Sequence, residues 1–134
     1  MAKSDIAGFR VAEMQPPKPD GSWGLYEIEE VSWNGRNLTI CMNDKDREIS
    51  ICFDMPVSFR SQDEGDMLGY WSARSDEKVA VAAVYTIEKS PYLDWIKKNG
   101  VTALRADLRH WLIAGLNQCV EVICEADEVP SIIA

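Results

Sequence analysis

Histidine is almost missing from this chain: among 134 residues only His110 carries an imidazole. Any histidine-based relay or metal centre must therefore be built on that one side chain. Cysteine is sparse too. Cys41, Cys52, Cys119 and Cys124 contain no C-x-x-C pair, and with a single histidine they make no standard zinc spacing. Reduced, half-buried thiols on strands are expected instead. Long apolar runs are also lacking. The longest, Val79 to Tyr85, falls far short of the ~20 residues that cross a bilayer. Met1 to Ile6 has no apolar stretch of the secretory kind, which points to a cytosolic protein. Basic residues are in deficit, with 14 Lys and Arg against 22 Asp and Glu, a net charge of -8. That balance argues against nucleic acid or an anionic membrane as a direct partner and suits a basic protein. Phosphate loops, dinucleotide fingerprints, H-E-x-x-H, EF-hand loops and G-x-S-x-G elbows are all absent, and no cofactor is expected.

What is present reads as one domain over residues 1–134. Hydrophobic residues make up 46%, enough to build a core without disulfides. Residues 1–23 form an extended N-terminal segment, with edge-strand character over 6–13, and a loop rich in proline over 15–22. A strand over 25–31 leads to Asn34-Gly35, a strong hairpin dipeptide, and to a second strand over 37–43. The loop Asp44-Lys45-Asp46-Arg47 then closes a hairpin with residues 48–54. Its register follows from alternation: Met42 opposite Ile49, Ile40 opposite Ile51, Leu38 opposite Phe53, all on one face. The reverse face makes Cys41 and Cys52 diagonal neighbours, too far apart for a disulfide.

Ser61 and Glu64 have the spacing of a capping box, which predicts a short helix over about 62–72 with Met67, Leu68 and Trp71 as its apolar stripe. Val79 to Ile87 is apolar on both faces, the mark of a covered central strand. Ser90-Pro91, Lys97, Lys98 and Gly100 bracket a helix over 91–99. A last hairpin across Asn117-Gln118 sets His110 against Glu125, an expected surface ion pair, and leaves a tail over 126–134 that Ile132 and Ile133 help to order. The sum is an α+β fold, an antiparallel sheet of about six or seven strands built from hairpins, with two short helices.

Chemistry-bearing residues are few. Asp63, Glu64 and Asp66 cluster at the predicted helix start. Capping and dipole complementation account for them; a metal or acid/base site there, with His110 as a conceivable contributor, is the catalytic alternative. A third reading is an acidic surface offered to a partner's lysines and arginines. Trp23 and Trp33 flank a turn-rich strand, and exposed aromatics beside carboxylates suit a protein interface. Asp63, Glu64, Asp66, Trp23 and Trp33 are the candidate partner-binding residues. An adaptor that pairs sheet edges is a further alternative.

The run Phe59-Arg60-Ser61-Gln62-Asp63-Glu64-Gly65-Asp66-Met67-Leu68-Gly69-Tyr70-Trp71 resembles a segment of small, uncharacterised bacterial proteins of the immunity type that accompany polymorphic toxin systems. The resemblance implies a non-catalytic α+β inhibitor that neutralises a cognate basic toxin by occlusion. Asp63, Glu64 and Asp66 are the matching positions, with no binding role carried over to them.

Overall fold

Alternating apolar residues in the first hairpins demand a sheet with one buried face, and the structure, a computed structural model, builds two such sheets. It describes residues 5–14, 24–104 and 106–133. The proline-rich loop and Trp23 lie outside them. The strands are β1 (Arg10–Val11), β2 (Glu27–Trp33), β3 (Asn37–Asn43), β4 (Glu48–Asp54), β5 (Ser58–Asp63), β6 (Val84–Ile87), β7 (Leu108–Ala114), β8 (Gln118–Glu125) and β9 (Ser131–Ile133). The helices are α1 (Leu68–Asp76) and α2 (Pro91–Asn99). The fold is α+β, and all strand pairings are antiparallel. One sheet has the order β2-β3-β4-β9 and the other β1-β6-β7-β8-β5, nine strands in two sheets among the described residues where a single sheet of six or seven was expected.

The β3–β4 register is the expected one, including Leu38 opposite Phe53, Ile40 opposite Ile51 and Met42 opposite Ile49. These six side chains are fully buried. They pack on the face of the second sheet that carries Trp111, Ile113, Val120 and Val122, with Phe53 edge-on to Trp111 at 6.0 Å. The opposite face of that second sheet is covered by α1 and α2. Its inner strand β8 is consequently buried on both faces from Cys119 to Cys124. The layers are sheet, sheet and helices. Cys41 and Cys52 lie half-buried on the outer face of the first sheet, and all four cysteines are free.

Helix α2 forms as its sequence dictates: Ser90 Oγ accepts the Leu93 N–H at 3.1 Å, Pro91 opens the first turn, and Lys97 and Lys98 occupy the last. The helix expected over 62–72 is displaced. Residues 58–63 remain a strand because Gln62 and Asp63 find partners in Cys119 and Gln118 on β8. Ser61 donates to the Gln118 side chain at 2.8 Å rather than capping a helix. Asp63 instead caps a single 3-10 turn over Glu64–Asp66, its Oδ1 accepting the Gly65 N–H at 2.8 Å, and α1 begins only at Leu68. The apolar stretch before β6 is likewise shorter as strand than expected. Ala82 N–H donates to the Tyr85 hydroxyl at 2.7 Å, so the chain leaves the ladder before Val84.

The β7–β8 hairpin is shifted by two residues from the expected register, with His110 opposite Ile123 and Leu108 opposite Glu125. Its turn is set from outside. The Asn117 amide accepts the Ile28 N–H and donates to the Ile28 carbonyl, both at 2.9 Å, and Leu116 N–H donates to Tyr26 O at 2.8 Å. An even shift leaves every side chain on its face, but it removes His110 from Glu125. The expected surface pair does not exist.

At the other edge, Glu77 at the end of α1 accepts the N–H groups of Gly8 and Phe9, both at 3.0 Å, and so ties the N-terminal segment to the helix. Gly8 has φ +67°, and a Cβ there would lie 2.5 Å from the Glu88 Cβ. Gly8→Ala is expected to lower stability by at least about 1–2 kcal/mol, the cost of the left-handed conformation alone. Urea unfolding should show a lower midpoint at unchanged slope; an unmoved midpoint would contradict this.

Candidate functional site

A carboxylate in the middle of a doubly buried strand is the least expected residue in this fold, because an unpaired buried charge is severely destabilising. Glu121 on β8 is 1% exposed. Its partners come from three other elements. Tyr70 of α1 donates its hydroxyl to Oε1. Arg60 of β5 donates through Nε to Oε2 at 2.5 Å and reaches the Tyr70 hydroxyl from Nη2 at 3.4 Å. His110 of β7 places Nε2 3.1 Å from Oε1, close but outside hydrogen-bond alignment.

The sheet register explains the gathering. Arg60 is directly opposite Glu121, and His110 is its diagonal neighbour on the same face. Tyr70 and Tyr92 then close over His110 from the two helices, both edge-on, at 5.9 and 5.6 Å. The Arg60 guanidinium lies 4.1 Å over the Tyr92 ring and remains 40% exposed. The Tyr92 and Ser58 hydroxyls share a hydrogen bond of 2.5 Å.

Protons follow from the partners. Ser90 Oγ is 2.7 Å from His110 Nδ1 and already accepts the Leu93 N–H. The Glu121 carboxylate beside Nε2 calls for the ring proton there, which leaves Nδ1 to accept the Ser90 hydroxyl. Burial pushes the Glu121 carboxyl upward, but the contacts from His110, Arg60 and Tyr70 outweigh it and hold the group below its usual range. Burial and then the Glu121 charge push the Tyr70 phenol up, and burial does the same for Tyr92. Arg60, despite the downward pull of burial, is raised by its bond to Glu121.

Ser90, His110 and Glu121 thus stand in the order of a serine-histidine-carboxylate relay. The serine, however, is a helix cap, and all three side chains are sealed from solvent. A nucleophile must reach its substrate, and this one is used twice already in holding α2 to the sheet. The row is a structural brace. Cys119 and Cys124, both buried and pushed up to about 12 by that burial, are inert thiols for the same reason.

The acidic residues singled out in the sequence occupy a different place. Asp63, Glu64 and Asp66 lie together on the 3-10 turn beside the β7–β8 turn, with Asp63 and Asp66 exposed. His110 is not brought to them. Among the described residues no group of three or more His, Cys, Asp or Glu side chains is placed to hold a metal ion. Glu64 lines one wall of an open groove of about 310 Å³, together with Leu25, Trp71, Arg74, Val81 and Leu116. Leu25, Val81 and Leu116 are each more than half exposed, as is Leu68, on the same α1 face as Trp71. Trp71, expected in the core, is half-buried in the groove: its indole N–H donates to Glu64 O at 3.2 Å, and the Arg74 guanidinium sits 4.9 Å from its ring. Arg74 is fixed in turn by donating to the Tyr85 hydroxyl at 3.3 Å.

Trp33 is 45% exposed, but its ring rests on Phe59 at 5.4 Å. Phe59 precedes Asp63 by four residues, about 13 Å along a strand. Trp33 therefore does not join the acidic turn. Trp23 lies outside the described residues. The groove residues Leu25, Val81 and Leu116 escaped sequence reading because alternation and hydrophobicity assign Leu25 and Val81 to strands, and only tertiary structure brings all three to Trp71.

Among the described residues no helix is long and apolar enough to cross a membrane. Comparison of the chain with family models, curated proteins and solved structures found no match to any of them.

Two outcomes are expected of the buried network. Glu121→Gln should cost about 3 kcal/mol, the low end for breaking a buried pair because Arg60 can turn to water. Since the folded state holds Glu121 below its ordinary value, its contribution is present at neutral pH and is lost as pH falls through that lowered value. The stability gap between wild type and Glu121→Gln should therefore close below about pH 4 in denaturant titrations. A gap that stays constant down to pH 2 would show that the carboxylate is not ionised in the fold.

Proposed function

We propose that this protein is a non-catalytic, acidic protein-binding module of the immunity type, which neutralises a basic toxin by covering it. The observation that carries this reading is the groove beside the acidic turn. Soluble proteins seldom leave several large aliphatic side chains exposed around a tryptophan without a use for them. Here they stand next to Asp63, Glu64 and Asp66 in a molecule of net charge -8. Such a surface serves a partner with apolar anchors and a cationic rim: the carboxylates speed encounter, and Trp71 with its aliphatic neighbours supplies the desolvated centre. The burial of Glu121, His110 and Ser90 away from solvent fits the same reading, since it leaves the polar network to hold the scaffold.

The partner to test is the basic product of an adjacent gene, titrated calorimetrically and co-expressed to measure protection. Leu116→Asp and Val81→Asp are each expected to weaken binding by at least about tenfold. Asp63→Lys with Asp66→Lys should slow association and flatten its dependence on salt, with a smaller effect on dissociation. Absence of both binding and protection would overturn the immunity reading. Binding that ignores the groove substitutions would overturn the placement of the interface.

A further inference from the structure

The groove beside the acidic turn suits an apolar anchor with a cationic rim, and this chain carries one itself. From Lys89 to Leu104 the sequence holds Lys89, Lys97 and Lys98 against one acid, Asp94, a net positive stretch in a molecule of net charge -8. Helix α2 spans most of it. Its buried stripe is Tyr92, Leu93 and Ile96, which leaves Trp95 off the core and 60% exposed. Lys98 follows Trp95 by three positions and so stands beside it on the helix surface. Val101 and Leu104, just after α2, are also well exposed. Among the described residues neither Lys97 nor Lys98 enters an ion pair.

The two surfaces lie at opposite ends of the five-stranded sheet. The stripe of α2 packs on Leu108 and Ile123, where the β7–β8 hairpin opens. The groove takes in Ala114, Gly115 and Leu116 at the closed end. Leu108 and Ala114 are the first and last residues of β7, about 20 Å apart along a strand of that length. One copy cannot bring its own α2 to its own groove. Two different surfaces at opposite ends join copies head to tail, not as a symmetric pair. The groove, of about 310 Å³, has room for one large aromatic side chain.

We propose that the groove of one copy receives Trp95 of a second copy, so that the chain self-associates head to tail. Trp95 enters among Leu25, Val81 and Leu116, against Trp71, and Lys97 and Lys98 face the carboxylates of Asp63 and Asp66. Exposed apolar groups thereby cover one another, and exposed cations meet exposed anions. One anchor with a short charged rim makes an interface below the usual size. The association is therefore weak, with a Kd of about 100 μM, and weaker still at high salt. The same groove is the proposed toxin surface, so a basic partner that fills it would displace the neighbouring copy; self-association itself needs no toxin.

Sedimentation velocity of the full chain alone, from the low micromolar to the millimolar range, reads this directly. The weight-average mass is expected to rise with concentration from that of one chain past that of two, and to fall back in high salt. Trp95→Asp and Leu116→Asp, both at exposed positions, should each weaken the association at least tenfold. Mixed in equal amounts, the two variants retain one intact contact, Trp95 of the Leu116→Asp chain in the groove of the Trp95→Asp chain, and should stop at a pair. A wild type that stays a single chain, association that survives either substitution, or a mixture that forms no pairs would each overturn the proposal. Trp95→Asp keeps its own groove, so its titration with the toxin still reads the proposed function whichever way self-association falls.

Discussion

The arrangement of this molecule depends on one buried carboxylate. Glu121 sits where a sheet residue would ordinarily be apolar, and its charge is tolerable only because Arg60, Tyr70 and His110 converge on it from β5, α1 and β7. An isosteric apolar core could match such a network in stability, but it would not fix which helix residue meets which strand. The carboxylate dictates that meeting. Tyr70 must face the sheet, which turns Trp71 outward one residue later, and His110 must reach Ser90, which seats the start of α2. The positions of the two helices on the sheet are therefore tied to a single charge.

Much of the fold was legible in the residues. The β3–β4 hairpin could be registered because six apolar side chains agree on one face under only one pairing. Helix α2 was legible because Ser90, Pro91, the two lysines and Gly100 all signal the same boundaries. The failures have a common cause in long-range pairing. Ser61 and Glu64 make a capping box by spacing, but β8 offered Ser61 a sheet position that local propensity could not weigh. The β7–β8 turn was displaced by Asn117 binding the backbone of Ile28, nearly ninety positions away. Residues Val79 to Ala83 are as apolar as β6 itself, yet the hydroxyl of Tyr85 takes the Ala82 N–H that a ladder would have used.

The candidate sites were legible in part. Asp63, Glu64 and Asp66 do form a surface cluster, and their local spacing was enough to show it. Glu121 gave no such signal, since a lone glutamate among valines and cysteines reads as an alternating strand with one polar position. Its role depends on a register that was two residues off in the hairpin derived from sequence. His110 was placed against Glu125 at the surface, whereas it stands opposite Ile123 and is buried beside Glu121. The aliphatic rim of the groove was beyond reach for a different reason: Leu25, Val81 and Leu116 belong to three separate connections whose convergence is purely tertiary.

Helix α1 is secured at three successive levels: Tyr70 to Glu121, Arg74 to Tyr85, and Glu77 to the backbone of Gly8 and Phe9. A helix held this way keeps the same shape whether or not anything docks on it. Little ordering entropy then remains to be lost on complex formation. Complexes formed on α1 would behave as rigid-body encounters, and a synthetic peptide spanning the helix alone would be a poor mimic of it.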